Sequence, residues 1–338
     1  MKFESIRNFN NKIKEQAEQS GFPLRMMFEL TYRCNFRCGH CYIPEGYNRR
    51  EELGTGQVIS VLKQLKKAGC FYLGFTGGEP FLRKDLMEIL DFARQCGFEV
   101  IIHTNGYFID DEKARALAAL KPNKVDITLP AFTEGVFESI TGVKGSRERV
   151  FCAVNMLKDY GVALGLKTCL LKRNYLEIAK IRNFASSAGI TLRVDDLLFA
   201  CLDGSQRPYK YTFKAVPAAP LSRKIKSAKK ECPASAGDDI FRCGAGRSQA
   251  AITPQGKLKF CLMIDHPGLD IIKGSFRGCW EELKMKARAI GSAAAGECRG
   301  CDLRGYCKWC PARSWAISND FYGCDERCRA RAEELARQ

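Results

Sequence analysis

Two rhythms of apolar and polar positions alternate through the first two thirds of the chain. Short apolar runs predict strands near Met26–Tyr32, Cys70–Thr76, Glu99–Thr104, Lys124–Leu129, Ala163–Leu171 and Ile190–Phe199. Between them, apolar residues recur at three- and four-residue spacing and predict amphipathic helices. One runs through Val58, Leu62 and Leu65 and is expected to be capped by Thr55. Others fit Asp85–Gln95, Asp111–Leu120, Arg147–Tyr160 and Tyr175–Ala188. Gly69, Gly97, Gly161 and Gly189 stand where these helices should end, a common C-terminal signal. Repeated βα units imply an α/β fold with a parallel sheet and helices outside. Periodicity alone leaves open sheet and barrel both standing. In either, the loops at the C-terminal strand ends should hold the site.

The pattern fades after Asp203. Gly204–Pro220 is rich in Pro, Tyr and Lys, and Arg223–Lys230 is strongly basic, as a solvated linker would be. From Cys232 onward glycines are frequent, and more than half of the 18 cysteines lie there. Such density predicts a small unit organised around metal rather than around a large apolar core. The expected organisation is an N-terminal extension (1–24), a barrel (25–203), a basic bridge (204–231) and a cysteine-rich domain (232–338).

Apolar residues make up 46% and charged residues 27% of 338, which excludes wholesale disorder. No apolar stretch is long enough to span a membrane. The polar start lacks a signal-peptide core, so a cytoplasmic location is expected. In a reducing compartment, abundant cysteine points to metal or redox chemistry rather than disulfides. A net charge of +16 suits an acidic peptide or nucleic acid, and equally serves solubility.

Cys34-Asn-Phe-Arg-Cys38-Gly-His-Cys41 directly follows the first predicted strand. Three soft ligands at these gaps suit an iron–sulfur cluster with one iron left open, or zinc with His40 as fourth ligand. Gly77-Gly78-Glu79-Pro80 follows the second strand.

This CxxxCxxC motif, with GGEP one βα unit later, resembles the radical S-adenosylmethionine (SAM) superfamily over about Met26 to Phe199. The resemblance implies a partial (β/α)6 TIM-type barrel. It also implies a [4Fe-4S] cluster held by Cys34, Cys38 and Cys41, whose open iron chelates SAM. One electron then cleaves SAM to a 5′-deoxyadenosyl radical, which takes hydrogen from substrate. Gly77 and Gly78 are expected to let backbone approach the ligand. Glu79 is expected to accept from the SAM ammonium. Thr104 and Asn105 resemble the family's cofactor-lining segment. Thr128 stands where a serine commonly meets the SAM ribose, although Thr128-Leu-Pro-Ala departs from the usual Ser-Leu-Asp-Gly. Arg147 or Arg149 is placed to reach the SAM carboxylate. His40 holds the family's aromatic position and is expected to pack beside the cluster. His103 and His266 read as structural histidines.

Cys243, Gly256 and Cys261 precede Cys298-x2-Cys301-x5-Cys307-x2-Cys310, and Cys328 follows. This order resembles the SPASM extension of radical SAM enzymes, with a third gap of two residues in place of three. The resemblance implies two auxiliary [4Fe-4S] clusters. Cys243, Cys261 and Cys310 would serve one, with Cys232 as the candidate eighth auxiliary ligand. Cys298, Cys301, Cys307 and Cys328 would serve the other, with Cys324 competing for the last place. Two zinc ions would also fit eight thiolates. Cys70, Cys96, Cys152 and Cys169 read as small buried apolar residues, and so do Cys201 and Cys279. A substrate-facing thiol among the six stays open.

The resemblance implies an enzyme acting on a peptide or protein, by crosslinking or residue oxidation. It implies a flavodoxin- or ferredoxin-type reducing partner. The short segment before the first strand predicts that leader recognition, where needed, rests with a separate leader-peptide-binding protein. Sulfatase maturation and tetrapyrrole modification are the alternatives. Modification of tRNA fits less well, because the aromatic–basic interleaving of an RNA-binding fold is missing. An electron carrier needs neither a barrel nor Gly77–Glu79. Asp195-Asp196 is a candidate for substrate or adenosine contact.

Overall fold

The computed structural model describes residues 6–213, 241, 243–292, 301–307 and 309–337. Helix α1 (Ile6–Ser20) leads into β1 (Arg25–Thr31), α2 (Thr55–Lys67), β2 (Tyr72–Gly77), α3 (Leu86–Gln95) and β3 (Glu99–Thr104). Then come α4 (Asp111–Leu120), β4 (Lys124–Thr128), α5 (Glu134–Thr141), α6 (Ser146–Asp159), β5 (Leu164–Cys169), α7 (Ile178–Ser187) and β6 (Thr191–Asp195). Strands β1 to β6 pair in parallel and in chain order. This is the expected α/β architecture of a partial barrel.

The helices form because their apolar stripes fit the sheet's outer face. Val58, Val61, Leu62 and Leu65 of α2 are buried, as are Leu86, Ile89, Leu90 and Ala93 of α3. Burying one such large aliphatic side chain stabilises the fold by about 1.5–3 kcal/mol. Gly69, Gly97, Gly161 and Gly189 take the left-handed conformation expected of helix stops, with φ of 88°, 80°, 71° and 70°. Thr55 is not the cap of α2. Gly54 is, and its N–H donates to Gln57 Oε1 at 3.0 Å, while the Thr55 hydroxyl donates to Asp85 at 2.7 Å. Helix α5 falls where no helix was expected.

The far edge of β1 carries the main departure. Strand β7 (Gln249–Ile252) pairs with it in parallel, Met26 opposite Ala250. Strands β8 (Lys257–Cys261) and β9 (Ile264–Asp270) continue antiparallel, so nine strands form one sheet. Composition predicts a metal-organised unit from Cys232, but 243–292 joins the barrel core instead. Ala250, Ile252, Leu258, Phe260 and Ile264 belong to the same apolar cluster as β1. Helix α8 (Phe276–Ser292) covers them with Phe276, Trp280 and Leu283. Trp280 Nε1 donates to the Gly21 carbonyl at 2.8 Å, tying α8 to the end of α1.

Helices α9 (Pro311–Ser318) and α10 (Glu326–Ala336) complete the described chain. Buried Arg313 bonds Asp325 at 3.0 Å and the Leu198 carbonyl at 2.5 Å, and Arg331 pairs with Asp196 at 3.6 Å. Among the described residues no helix is long and apolar enough to cross a membrane. Cys232, Cys298 and Arg223–Lys230 lie outside the described residues.

Candidate active site

The cysteine loop springs from the C-terminal end of β1. Arg37 anchors it, through its N–H to the Thr141 carbonyl at 2.8 Å and its guanidinium to the Gly142 carbonyl at 2.8 Å. The Cys34 and Cys41 thiols each raise the affinity of Cys38 for its proton, and Cys41 also raises that of Cys34. Burial is the larger cause, and it pushes Cys34 up to about 12. Neighbouring thiols that disfavour ionisation are stabilised as thiolates by a shared cationic centre.

Glu79 is fully buried at the end of β2. Its carboxylate accepts from Thr104 Oγ1 at 2.7 Å, the Asn105 N–H at 2.7 Å and the Phe81 N–H at 3.0 Å. Burial still pushes it up to about 7, because three dipoles do not replace water. Among the described residues no lysine or arginine pairs with it. A cationic ligand group would complete it.

Gly77 and Gly78 are required here, for a reason the sequence did not reveal. A Cβ on Gly77 would lie 2.1 Å from the Thr31 carbonyl oxygen, and one on Gly78 would lie 2.2 Å from that of Arg33. The Gly78 and Glu79 N–H groups donate to these same carbonyls at 2.8 Å. The glycines thus let β2 pass against the root of the cysteine loop.

Asn105 joins both halves of the site. Its side-chain amide donates to Asn35 Oδ1 at 2.8 Å and lies 3.8 Å from Cys34 Sγ. His40 packs beside the loop with its Nδ1 unpartnered, and burial lowers it to about 4. Thr128 ends β4, half-buried. Arg147 is committed elsewhere: it donates to the Phe132 carbonyl at 2.5 Å and stacks on Phe151. Arg149 is exposed and lies over the ring of Tyr107, on the same loop as Asn105. Asp195 pairs with Arg193 at 2.9 Å, and Asp196 with Arg331.

A family model described as the radical SAM superfamily matches residues 28–185. Over these residues the chain carries a radical SAM domain. It is 27% identical over 336 residues to the mycofactocin maturase MftC of Mycobacterium tuberculosis (strain ATCC 25618 / H37Rv), covering 94% of this chain and 86% of the relative. The MftC of Mycolicibacterium smegmatis is also 27% identical, over 341 residues, with the same two coverages. Among solved structures, Streptococcus suis SuiB bound to S-adenosylmethionine superposes with a TM-score of 0.70 at 18% identity, covering 97% of this chain and 84% of SuiB. A structure of anSMEcpe with bound AdoMet and a peptide gives 0.68 at 15%, covering 91% and 94%. At these identities the two structures speak to the fold.

Beyond the radical SAM loop, seven further described thiols fall in two places. Cys243 and Cys310 raise the proton affinity of Cys261, which burial pushes up to about 12, and Cys243 raises that of Cys310. Cys310 stands at the start of α9, where backbone N–H groups of Ala312 and Arg313 favour its thiolate. Cys328 meets Cys307, and both Cys301 and Cys324 act on Arg329 of α10. Cys152, expected inside, is exposed on α6. Cys201 is buried and donates to the Cys41 carbonyl.

Sequence reading passed over two polar networks on the inner face of the sheet. In one, Glu29 and Lys259 form a fully buried ion pair at 2.9 Å, with Tyr32 and Tyr42 hydroxyls donating to Glu29. In the other, His103, Asp126 and Lys167 meet across β3, β4 and β5. Only their odd placement in apolar runs could have signalled either.

Proposed function

We propose that this protein is a radical SAM maturase of a ribosomally made peptide. The observation that carries the reading is the pairing of three convergent thiols with a buried, cation-less Glu79, in a chain whose relatives are named maturases. Cys34, Cys38 and Cys41 would hold the [4Fe-4S] cluster, and Glu79 would receive the SAM ammonium. When bound, the cluster supplies the electron that cleaves SAM to the 5′-deoxyadenosyl radical, the species that takes hydrogen from the peptide.

Around that chemistry the chain's residues have separable tasks. Thr104 and the Asn105 N–H hold Glu79 in one orientation. The Asn105 side chain fixes the loop beside Cys34. Thr128 and Arg149 remain the assigned contacts for the SAM ribose and carboxylate, and Gly77 and Gly78 set the loop's height over β2.

Two auxiliary [4Fe-4S] clusters complete the proposal. Cys243, Cys261 and Cys310 would hold the first, and Cys298, Cys301, Cys307 and Cys328 the second. The influence of Cys243 and Cys310 on Cys261 supports the first grouping, and the contact of Cys328 with Cys307 supports Cys328 over Cys324. A flavodoxin- or ferredoxin-type donor, a separate leader-binding protein and a cytoplasmic setting belong to the same reading. Sulfatase and tetrapyrrole chemistry are not favoured.

The test is iron counting with product analysis. Reconstituted protein should hold about twelve irons, four per cube, and should form 5′-deoxyadenosine from SAM. Cys38→Ala should abolish that product. Its persistence in the variant would refute the assignment of the triad.

A further inference from the structure

The inner face of β3–β6 is built for polar groups. Strand pairing sets His103 opposite Asp126, Gly165 opposite Asp126, and Lys167 opposite both Thr128 and Arg193. Glycine makes the room. A Cβ on Gly165 would lie 2.2 Å from Asp126 Oδ1 and from Lys124 Cε, and one on Gly74 would lie 2.5 Å from Met27 Sδ and 3.6 Å from His103 Nε2.

The charges here do not balance. Lys124 pairs with Asp126 at 2.7 Å, and Arg193 with Asp195 at 2.9 Å. Lys167 is left with one hydrogen bond among the described residues, from Nζ to His103 Nδ1 at 2.9 Å. That ring is held neutral by burial and by Lys167 itself, so it accepts the bond and adds no charge. Two donor positions of the ammonium stay open. A buried cation without a carboxylate against it is costly, and an incoming anion removes that cost. Next along β5 stands Cys169, whose thiol feels Cys41, Asp195 and Arg193, so this face borders the radical SAM loop.

We propose that Lys167, steadied by His103 and Asp126, is a substrate-binding cation that receives a carboxylate of the peptide inside the barrel. The inference rests on the peptide-maturase reading and specifies the chemistry its substrate presents. Asp126 and Asp195 draw on Lys167 from neighbouring strands, while Arg193 and burial oppose its charge and bring it down to about 8. Its neutral form is therefore accessible to a labelling reagent near neutral pH.

The probe is acetate, with isosteric acetamide as the uncharged control. Reconstituted protein with saturating SAM is reductively methylated with trace reagent at constant ionic strength, and each lysine is followed by mass spectrometry. A bound carboxylate holds Lys167 as the ammonium, so acetate should slow its labelling by about tenfold as the site fills to nine tenths. Acetamide should leave it unchanged, and exposed Lys158 should respond to neither. Equal labelling with acetate and acetamide would overturn the proposal. Protection by SAM alone would overturn it too, by assigning the cation to the carboxylate of SAM. The 5′-deoxyadenosine assay on the same preparation reports separately on the radical reaction.

Discussion

Replacing Glu79 by glutamine should move stability and SAM affinity in different ways, and the structure sets both magnitudes. Burial raises the Glu79 carboxyl from its ordinary 4.5 to about 7. That displacement is about 3 kcal/mol against the ionised form. The folded chain binds this proton more tightly than the unfolded chain does. The resulting stabilisation is fully present below about pH 4.5 and is lost as pH rises through about 7. Glutamine carries no such dependence. It does turn an amide N–H₂ toward one of the three donors, a pH-independent cost of about 1–3 kcal/mol. Between about pH 5 and 8 the variant should therefore gain about 2–3 kcal/mol relative to wild type. Urea unfolding of the cluster-free chain at several pH values reads this difference. SAM affinity of the reconstituted enzyme should fall by about 10–150-fold, the worth of a charge-assisted hydrogen bond of about 1.5–3 kcal/mol. Parallel pH profiles, or undiminished SAM binding in calorimetric titration, would refute the reasoning.

Other substitutions test separate joints of the structure. Gly78→Ala drives a methyl group to 2.2 Å from the Arg33 oxygen, so reconstitution should yield about four irons fewer per chain. Gly135→Ala is its control: it meets open space on α5 and should stabilise by about 0.5–1 kcal/mol in the same unfolding assay. Lys259→Met strands the Glu29 carboxylate and should cost about 3–5 kcal/mol in urea unfolding, whereas adding Glu29→Gln should restore most of the loss. Cys310→Ser should lower the iron count from about twelve to about eight, and an unchanged count would dissolve its grouping with Cys243 and Cys261.

The barrel was legible because its strands are long apolar runs closed by glycine-ended helices. Each of the six strands lies within its predicted run or within two residues of it. The cysteine loop and Glu79 were legible because their spacing is short and local. Strand β7 was not. Gln249-Ala-Ala-Ile is only four residues, with small side chains, and it is a strand because β1 offers it an unpaired edge. Helix α5 was hidden by its length of eight residues, too short for a helical rhythm to emerge. The role of Gly78 was hidden because its contact is with backbone at Arg33, which no side-chain pattern records.

Charged residues inside the sheet were the deepest omission, and they share one cause. Lysine in a strand reads as a solvent-facing position, yet Lys259 is wholly enclosed. Its partner Glu29 lies on β1, and Asp265 on β9 stands 3.1 Å away. Only the pairing of β7 with β1 brings these three together. The consequence is mechanical. Tyr42, the residue after Cys41, donates to Glu29 at 2.8 Å, and Lys259 stands two residues before Cys261. One buried ion pair thus fixes the position of the radical SAM loop relative to the strand that carries a C-terminal thiol. An apolar pair of equal volume would pack without this directional demand, and for the maturase reading the demand is the useful property. A fully enclosed ion pair with two tyrosine donors has few alternative geometries.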